Sequence, residues 1–161
     1  MGMEMTTSSR LEGAALEAWR GFLQSHASIV RELDASLIAE HGMTTRDYEV
    51  LLYLAQDPDR RLPMSALAER TMLTRSGITR LVDGLVGSGL VERRSCPSDA
   101  RVSYAELTDA GYEKLRNAGC THVHSIRRLF CEHFTADELE RLAELLGRLP
   151  GARREGSCTV S

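Results

Sequence analysis

The sequence predicts a mainly α-helical chain carrying one small β hairpin, an α+β fold, on three observations. Through most of the 161 residues, apolar side chains recur every three or four positions, the spacing that lines one face of a helix. Only Leu90 to Leu107 changes character, to two short β-like runs about a turn-rich centre. Residues that start or stop helices fall at the ends of each helical pattern.

The elements follow in order. Leu11, Ala15, Trp19, Phe22, His26, Ile29, Leu33 and Leu37 mark a long helix over 11–41, with Gly42 as its left-handed end. Thr44 caps a second helix, with Asp47 near its positive end and Tyr48, Leu51, Leu52 and Ala55 on its apolar face. Asp57-Pro58-Asp59 ends that helix, and Leu62-Pro63 is a short extended piece. Met64 to Arg70 is a short helix, Thr71 to Leu73 a tight turn, and Thr74 the cap of a helix running to about Ser88, with Ile78, Leu81, Val82 and Leu85 inward. Two short helices joined by so tight a turn make a helix-turn-helix. The runs Leu90–Ser95 and Val102–Leu107 then pair around Cys96–Arg101 as a wing. Thr108 caps a long helix to about His133. Thr135 and Glu138 form a capping box before a last helix with Leu139, Leu142, Leu145, Leu146 and Leu149, ended by Pro150-Gly151.

Composition bounds the function. With 42% hydrophobic and 27% charged residues, the chain reads as an ordinary soluble globular protein. No run approaches the ~20 apolar residues of a membrane span, and Met1–Arg10 lacks the apolar core of a secretory signal. The expected location is the cytoplasm and no membrane partner is expected. The four cysteines, Cys96, Cys120, Cys131 and Cys158, make no Cys-x-x-Cys pair, so no disulfide framework is expected. No phosphate-binding loop, dinucleotide fingerprint or nucleophile elbow is present, which argues against an enzyme. The net charge of −3 is unevenly spread: Arg60 to Tyr104 holds eight basic residues against four acidic ones, a balance of +4, leaving −7 elsewhere. A basic module in an acidic frame suits docking on phosphates.

Four pieces in this order carry a resemblance: Leu73-Thr74-Arg75-Ser76-Gly77-Ile78-Thr79-Arg80-Leu81-Val82-Asp83-Gly84-Leu85, then Gly89-Leu90-Val91-Glu92-Arg93, Asp99-Ala100-Arg101 and Leu107-Thr108-Asp109-Ala110-Gly111. Together they resemble the MarR family of bacterial regulators over roughly residues 15–148. The resemblance implies a non-catalytic homodimer whose first and last two helices intertwine, each subunit offering one winged helix to DNA. It also implies a repressor whose hold on DNA weakens when a small, often aromatic ligand or an oxidant acts. The domains expected are a helical dimerisation region at 11–42 and 108–149, a winged helix-turn-helix at 43–107, and disordered ends at 1–10 and 150–161.

On this reading Thr74, Arg75, Ser76, Thr79 and Arg80 face a double-stranded DNA operator, an inverted repeat. Arginine suits two parallel hydrogen bonds to guanine, and the hydroxyls suit phosphates or single base edges. Arg101, braced by Asp99 as in the family's pattern, suits a narrow minor groove. Of Arg93 and Arg94 at the hairpin, Arg94 is taken as the phosphate contact. Taken alone, Arg75 and Arg80 read better as a solvated helix face, and it is their place between a tight turn and a wing that makes them expected base contacts; the competing account of Asp99–Arg101 is a plain turn ion pair.

For an effector, Trp19, Phe22, His26, His41 and Tyr48 are the candidate ligand residues, in a crevice that the resemblance places where the first two helices meet the long fifth. The competing account is that the aromatics are core, and Arg46 either meets a ligand carboxylate or stays in solvent. An alternative is oxidant sensing through cysteine, with Cys96 at the wing base activated by Arg93 and Arg94. The oxidant-sensing members carry their cysteine near the first helix, and this chain has none there. Cys120, His122, His124, Cys131 and His133 have the look of metal ligands, but one helix cannot gather a tetrahedral set from them. No metal and no cofactor are expected.

Overall fold

A computed structural model describes residues 10–96, 98, 99 and 101–151. The expected disorder of 1–10 and 150–161 therefore falls, apart from Arg10, Pro150 and Gly151, outside the described residues, as does Cys158.

Six α-helices and three strands follow the predicted order: α1 Gly13–His41, α2 Thr45–Gln56, β1 Arg61–Pro63, α3 Met64–Arg70, α4 Arg75–Gly87, β2 Val91–Ser95, β3 Ser103–Leu107, α5 Asp109–Leu129 and α6 Ala136–Leu146. The caps work as read. Gly42 ends α1 at φ 63°, its amide donating to the Ile38 carbonyl. The Thr44 and Asp47 side chains satisfy each other's backbone amides at the start of α2, and Thr135 and Glu138 repeat the arrangement at α6. Thr74 and Thr108 accept from the amides of Gly77 and Gly111 at α4 and α5.

The core lies in the winged lobe. Helix α2 buries Tyr48, Val50, Leu51, Leu52 and Leu54, more than its predicted face, because α1, α4, α5 and the sheet all pack on it. From α4 come Ile78, Val82 and Leu85, each stabilising by about 2 kcal/mol through burial. Leu37, Met43, Leu62, Leu67, Val91, Ala105, Leu107, Leu115 and Ala118 complete the cluster.

Four expectations change. The extended piece at Leu62-Pro63 is a true strand: β1 pairs antiparallel with β3, Leu62 opposite Ala105, giving the sheet order β1-β3-β2. Leu90 and Val102 fall outside the strands. Helix α5 stops at Leu129, where Phe130 leaves helical geometry (φ −131°), and Cys131–His133 forms a separate 3₁₀ turn. Helix α6 ends at Leu146, before Leu149.

One residue at the lobe's edge has no freedom. A Cβ on Gly111 would lie 2.1 Å from the Leu90 carbonyl oxygen and 2.7 Å from the Leu107 side chain. Only glycine lets the start of α5 lie against the end of the recognition unit.

Candidate nucleic-acid interface

The turn of the helix-turn-helix is tied to its first helix. The Thr71 hydroxyl, buried, donates to the Leu67 carbonyl at 2.7 Å, and Met72 bends the chain with φ 53°. The Thr74 cap then fixes the first turn of α4, accepting from the Gly77 amide at 3.1 Å and lying 3.2 Å from the Ser76 hydroxyl. Because Ile78, Val82 and Leu85 turn inward, the opposite face presents Thr74, Arg75, Ser76, Thr79 and Arg80. All five line one open depression of about 750 Å³, together with Asp83.

The wing is ordered by Asp99. Its carboxylate accepts from the Arg101 amide at 3.0 Å, and its carbonyl accepts from the Val102 amide at 3.0 Å. The Arg101 guanidinium lies 3.9 Å from the same carboxylate, and its side chain is 95% exposed. Asp99 therefore holds the backbone of the tip and leaves the guanidinium free to reach outward.

The eight basic residues of this module differ in how they are held. Arg60 stacks on Tyr112 and pairs with Asp109 at 3.2 Å; Arg61 lies over Tyr104 and pairs with Asp59; Arg70 lies over Tyr53. Arg93 pairs with Asp83 at 2.8 Å. Arg94, expected at a phosphate, is held between Glu92 at 2.6 Å and Glu106 at 3.6 Å, because these three side chains share one face of the β2–β3 ladder. Arg75 and Arg80 on α4 are left without an ion pair among the described residues, and Arg101 at the wing tip keeps a side chain that is 95% exposed.

The ligand candidates are not brought together. Trp19, Phe22 and His26 stack in a ladder along α1, ring centres 6.3 Å apart at each step, on a face where Trp19 is 53% and Phe22 45% exposed. His41 lies 22 residues beyond Trp19, about 33 Å along the helix. There its Nε2 meets the Thr121 hydroxyl at 2.9 Å, which itself donates to Glu40. Tyr48 is buried in the core against the His122 ring, centroids 4.3 Å apart. Arg46 is committed within the fold, donating to Glu49 and to the Thr71 carbonyl.

His122, weighed from the sequence only as a member of an incomplete metal set, is instead packed against the core. Its Nδ1 is buried without a hydrogen-bond partner, as is Thr45 Oγ1, and burial lowers the imidazole below its ordinary range. The signal available was its place one turn from Ala118 and Ser125, the buried face of α5.

At the wing base the Cys96 thiol is lowered by the hydrogen bond from the Ser98 hydroxyl first, then by the Ser98 and Asp99 backbone, not by Arg93 and Arg94. Cys131 falls beyond the end of α5, so it shares no helix with Cys120 and His124. Among the described residues no three His, Cys, Asp or Glu side chains gather as a metal would need, and no helix is long and apolar enough to cross a membrane.

Comparison with known proteins gives a consistent picture. Residues 41–102 match the family model described as MarR family. A MarR family transcriptional regulator from Streptomyces coelicolor, Sco3205, solved in complex with DNA, superposes with a TM-score of 0.82 at 33% identity, over 88% of this chain and 96% of that one. AbsC, another regulator of the family from the same organism, gives 0.80 at 32% identity, over 85% and 92%. The transcriptional repressor YetL of Bacillus subtilis is 32% identical over 111 residues, 69% of this chain and 66% of that protein.

Proposed function

This chain belongs to the MarR family of transcriptional regulators, whose members are DNA-binding regulators and not enzymes, and on that premise we propose that it binds an inverted-repeat DNA operator as a homodimeric repressor. One observation carries the reading: among the described residues Arg75 and Arg80 on the recognition helix have no ion-pair partner, and Arg101 at the wing tip keeps a side chain that is 95% exposed. In this reading Arg75 and Arg80 read guanine edges in the major groove, Thr74, Ser76 and Thr79 hold phosphates or single bases, and Arg101 enters the minor groove from a tip set by Asp99. Arg94 contributes a phosphate contact only by releasing Glu92 and Glu106, so its share is small.

The dimer is supported by the apolar surface of the helical arm. Leu11, Trp19, Phe22, Leu23, Phe134, Leu145 and Leu149 are all exposed in the single subunit; in this reading 11–42 and 108–149 form the dimer and 43–107 meets DNA. Two modules on one two-fold axis then meet half-sites about one helical turn apart. A small effector is supported at the junction of α1, α2 and α5, where the Tyr48 ring lies against His122, whose Nδ1 has no partner, and His41 meets Thr121 of the same helix as His122. Relief of repression in the cytoplasm by an aromatic acid or phenol completes the reading.

The test is selection of duplexes from a random-sequence pool by the purified protein, followed by titration of the recovered duplex. Arg75→Ala, Arg80→Ala and Arg101→Ala should each weaken that complex about 5- to 100-fold. Recovery of no enriched sequence by the unaltered protein overturns the reading.

A further inference from the structure

The recognition face carries one acid, and its place is not explained by contact with DNA. Asp83 is exposed, one turn along α4 from Thr79, on the wall of the depression lined by Arg75 and Arg80. A free carboxylate there would repel phosphate. It is not free. Arg93, on β2, lies across it: Nη2 is 2.8 Å and Nε 3.0 Å from the same Asp83 oxygen, and Nη2 also donates to the Thr79 carbonyl at 3.3 Å. One planar fork thus holds both a side chain and a backbone oxygen of the recognition helix. Register explains why Arg93 and not Arg94 does this: Arg93 stands opposite Ala105, on the face of the sheet turned to the core and α4, and Arg94 stands opposite Tyr104 on the other face.

We propose that Asp83 and Arg93 are positioning residues for DNA recognition, a brace that fixes the reading face of α4 to the wing. The proposal rests on the DNA-binding reading above. Arg93 touches neither base nor phosphate. It neutralises the one acid in the recognition depression. It also couples the helix that presents Arg75 and Arg80 to the strand that leads to Arg101, so that major-groove and minor-groove readers meet the duplex as one body. Sequence-specific binding needs that registration; loose association with phosphates does not.

The experiment uses the full-length protein, the duplex it selects from a random pool, and a scrambled duplex of the same composition. Asp83→Asn keeps the shape and removes the charge; Arg93→Lys keeps the charge and removes the fork. Each should weaken binding to the selected duplex about tenfold while binding to the scrambled duplex stays within about twofold, and the double variant should be no weaker than either single one, since both break the same contact. The slope of log affinity against log salt should not change. Tighter binding by Asp83→Asn would show the acid to be a repulsive group and overturn the proposal. Full affinity in Arg93→Lys, or a slope reduced by about one in an Arg93→Ala variant, would make Arg93 a phosphate ligand and overturn it too. Because Asp83 is exposed and asparagine is isosteric, equal loss on both duplexes by Asp83→Asn also counts against it. If the unaltered protein selects no duplex, the DNA-binding reading has failed; if it selects one and both variants match it, the brace alone has failed.

Discussion

Helices α2 and α6 are close to a matched pair, and they meet opposite fates. They have 12 and 11 residues, and each opens on a full capping box, Thr44 with Asp47 and Thr135 with Glu138. Each carries a stripe of apolar side chains. Yet α2 buries five residues and α6 buries none. The same division runs through α1, which buries Leu33 and Leu37 toward its end but leaves Trp19, Phe22 and Leu23 exposed toward its start. Local signals decide that a helix forms; they do not decide what covers its apolar face. The face of α2 is covered within the subunit, by α4, the sheet, α1 and α5. The arm leaves its apolar face open, and in the proposed dimer a second subunit covers it.

The largest effects separate these two regions. Leu51→Asp places an unpaired carboxylate in a fully buried site. It should cost more than about 4 kcal/mol and abolish the folded circular dichroism signal. Leu145→Asp, on the 41% exposed face of α6, should leave that signal in place but give a monomer in sedimentation, with operator affinity down about 100-fold as the second half-site is lost. A folded, dimeric Leu145→Asp protein would break the comparison.

The boundary between the regions should be nearly as sensitive. Gly111 joins the start of α5 to the winged lobe, and an alanine Cβ would meet the Leu90 carbonyl at 2.1 Å, backbone that cannot swing aside. Gly111→Ala should lower stability by about 3 kcal/mol in denaturant unfolding. A change below about 1 kcal/mol would mean that α5 can slide on the lobe. A smaller effect of opposite sign belongs to the turn. Met72 is 79% exposed and holds φ 53°, a strain of about 1 kcal/mol for a side chain of this kind. Met72→Gly relieves it at some cost in unfolded-chain entropy, so a net gain of about 0.5 kcal/mol is expected in the same unfolding measurement.

Legibility in the sequence followed the range of the interaction. Caps at Thr44, Thr74, Thr108 and Thr135 are decided within four residues, and all were readable. Arg75, Arg80 and Arg101 were readable as candidate DNA contacts because their positions follow from those caps and from the turn chemistry of Asp99. The β1–β3 pairing joins residues over 40 positions apart through a three-residue strand, too short to carry a period of its own. The end of α5 at Phe130 has neither glycine nor proline to announce it. The arginines show the limit most sharply. Arg93 and Arg94 are neighbours of one type in the sequence, and only the alternation of the strand, with Asp83 on one side and Glu92 and Glu106 on the other, gives them different work. The aromatic ladder of α1 reads alike whether it meets a ligand, a partner or water, although the 22 residues between Trp19 and His41 already set those two about 33 Å apart along one helix.

His122 offers the finest probe of the junction where the winged lobe meets the arm. Its ring lies against Tyr48 of α2, its Nδ1 has no partner, and burial disfavours its charged form. The folded protein therefore takes up a proton at His122 only at a lower pH than the unfolded chain does. Above the ordinary imidazole range neither state is protonated, and His122 costs nothing. As pH falls below that range the unfolded chain binds the proton first, so stability declines until the folded state binds it as well. Glu138 acts in a separate window. The hydrogen bonds from the Thr135 backbone and hydroxyl lower its carboxyl, so its contribution is present above the ordinary carboxylate range and is lost only as pH falls further. His122→Phe keeps a ring against Tyr48 and removes the proton site. In denaturant unfolding followed across pH, it should flatten the decline just below the imidazole range and leave the more acidic, Glu138-linked loss in place. An unchanged profile in the imidazole window would show that protonation at this junction is not resisted, and that α2 and α5 are less tightly closed around His122 than its burial indicates.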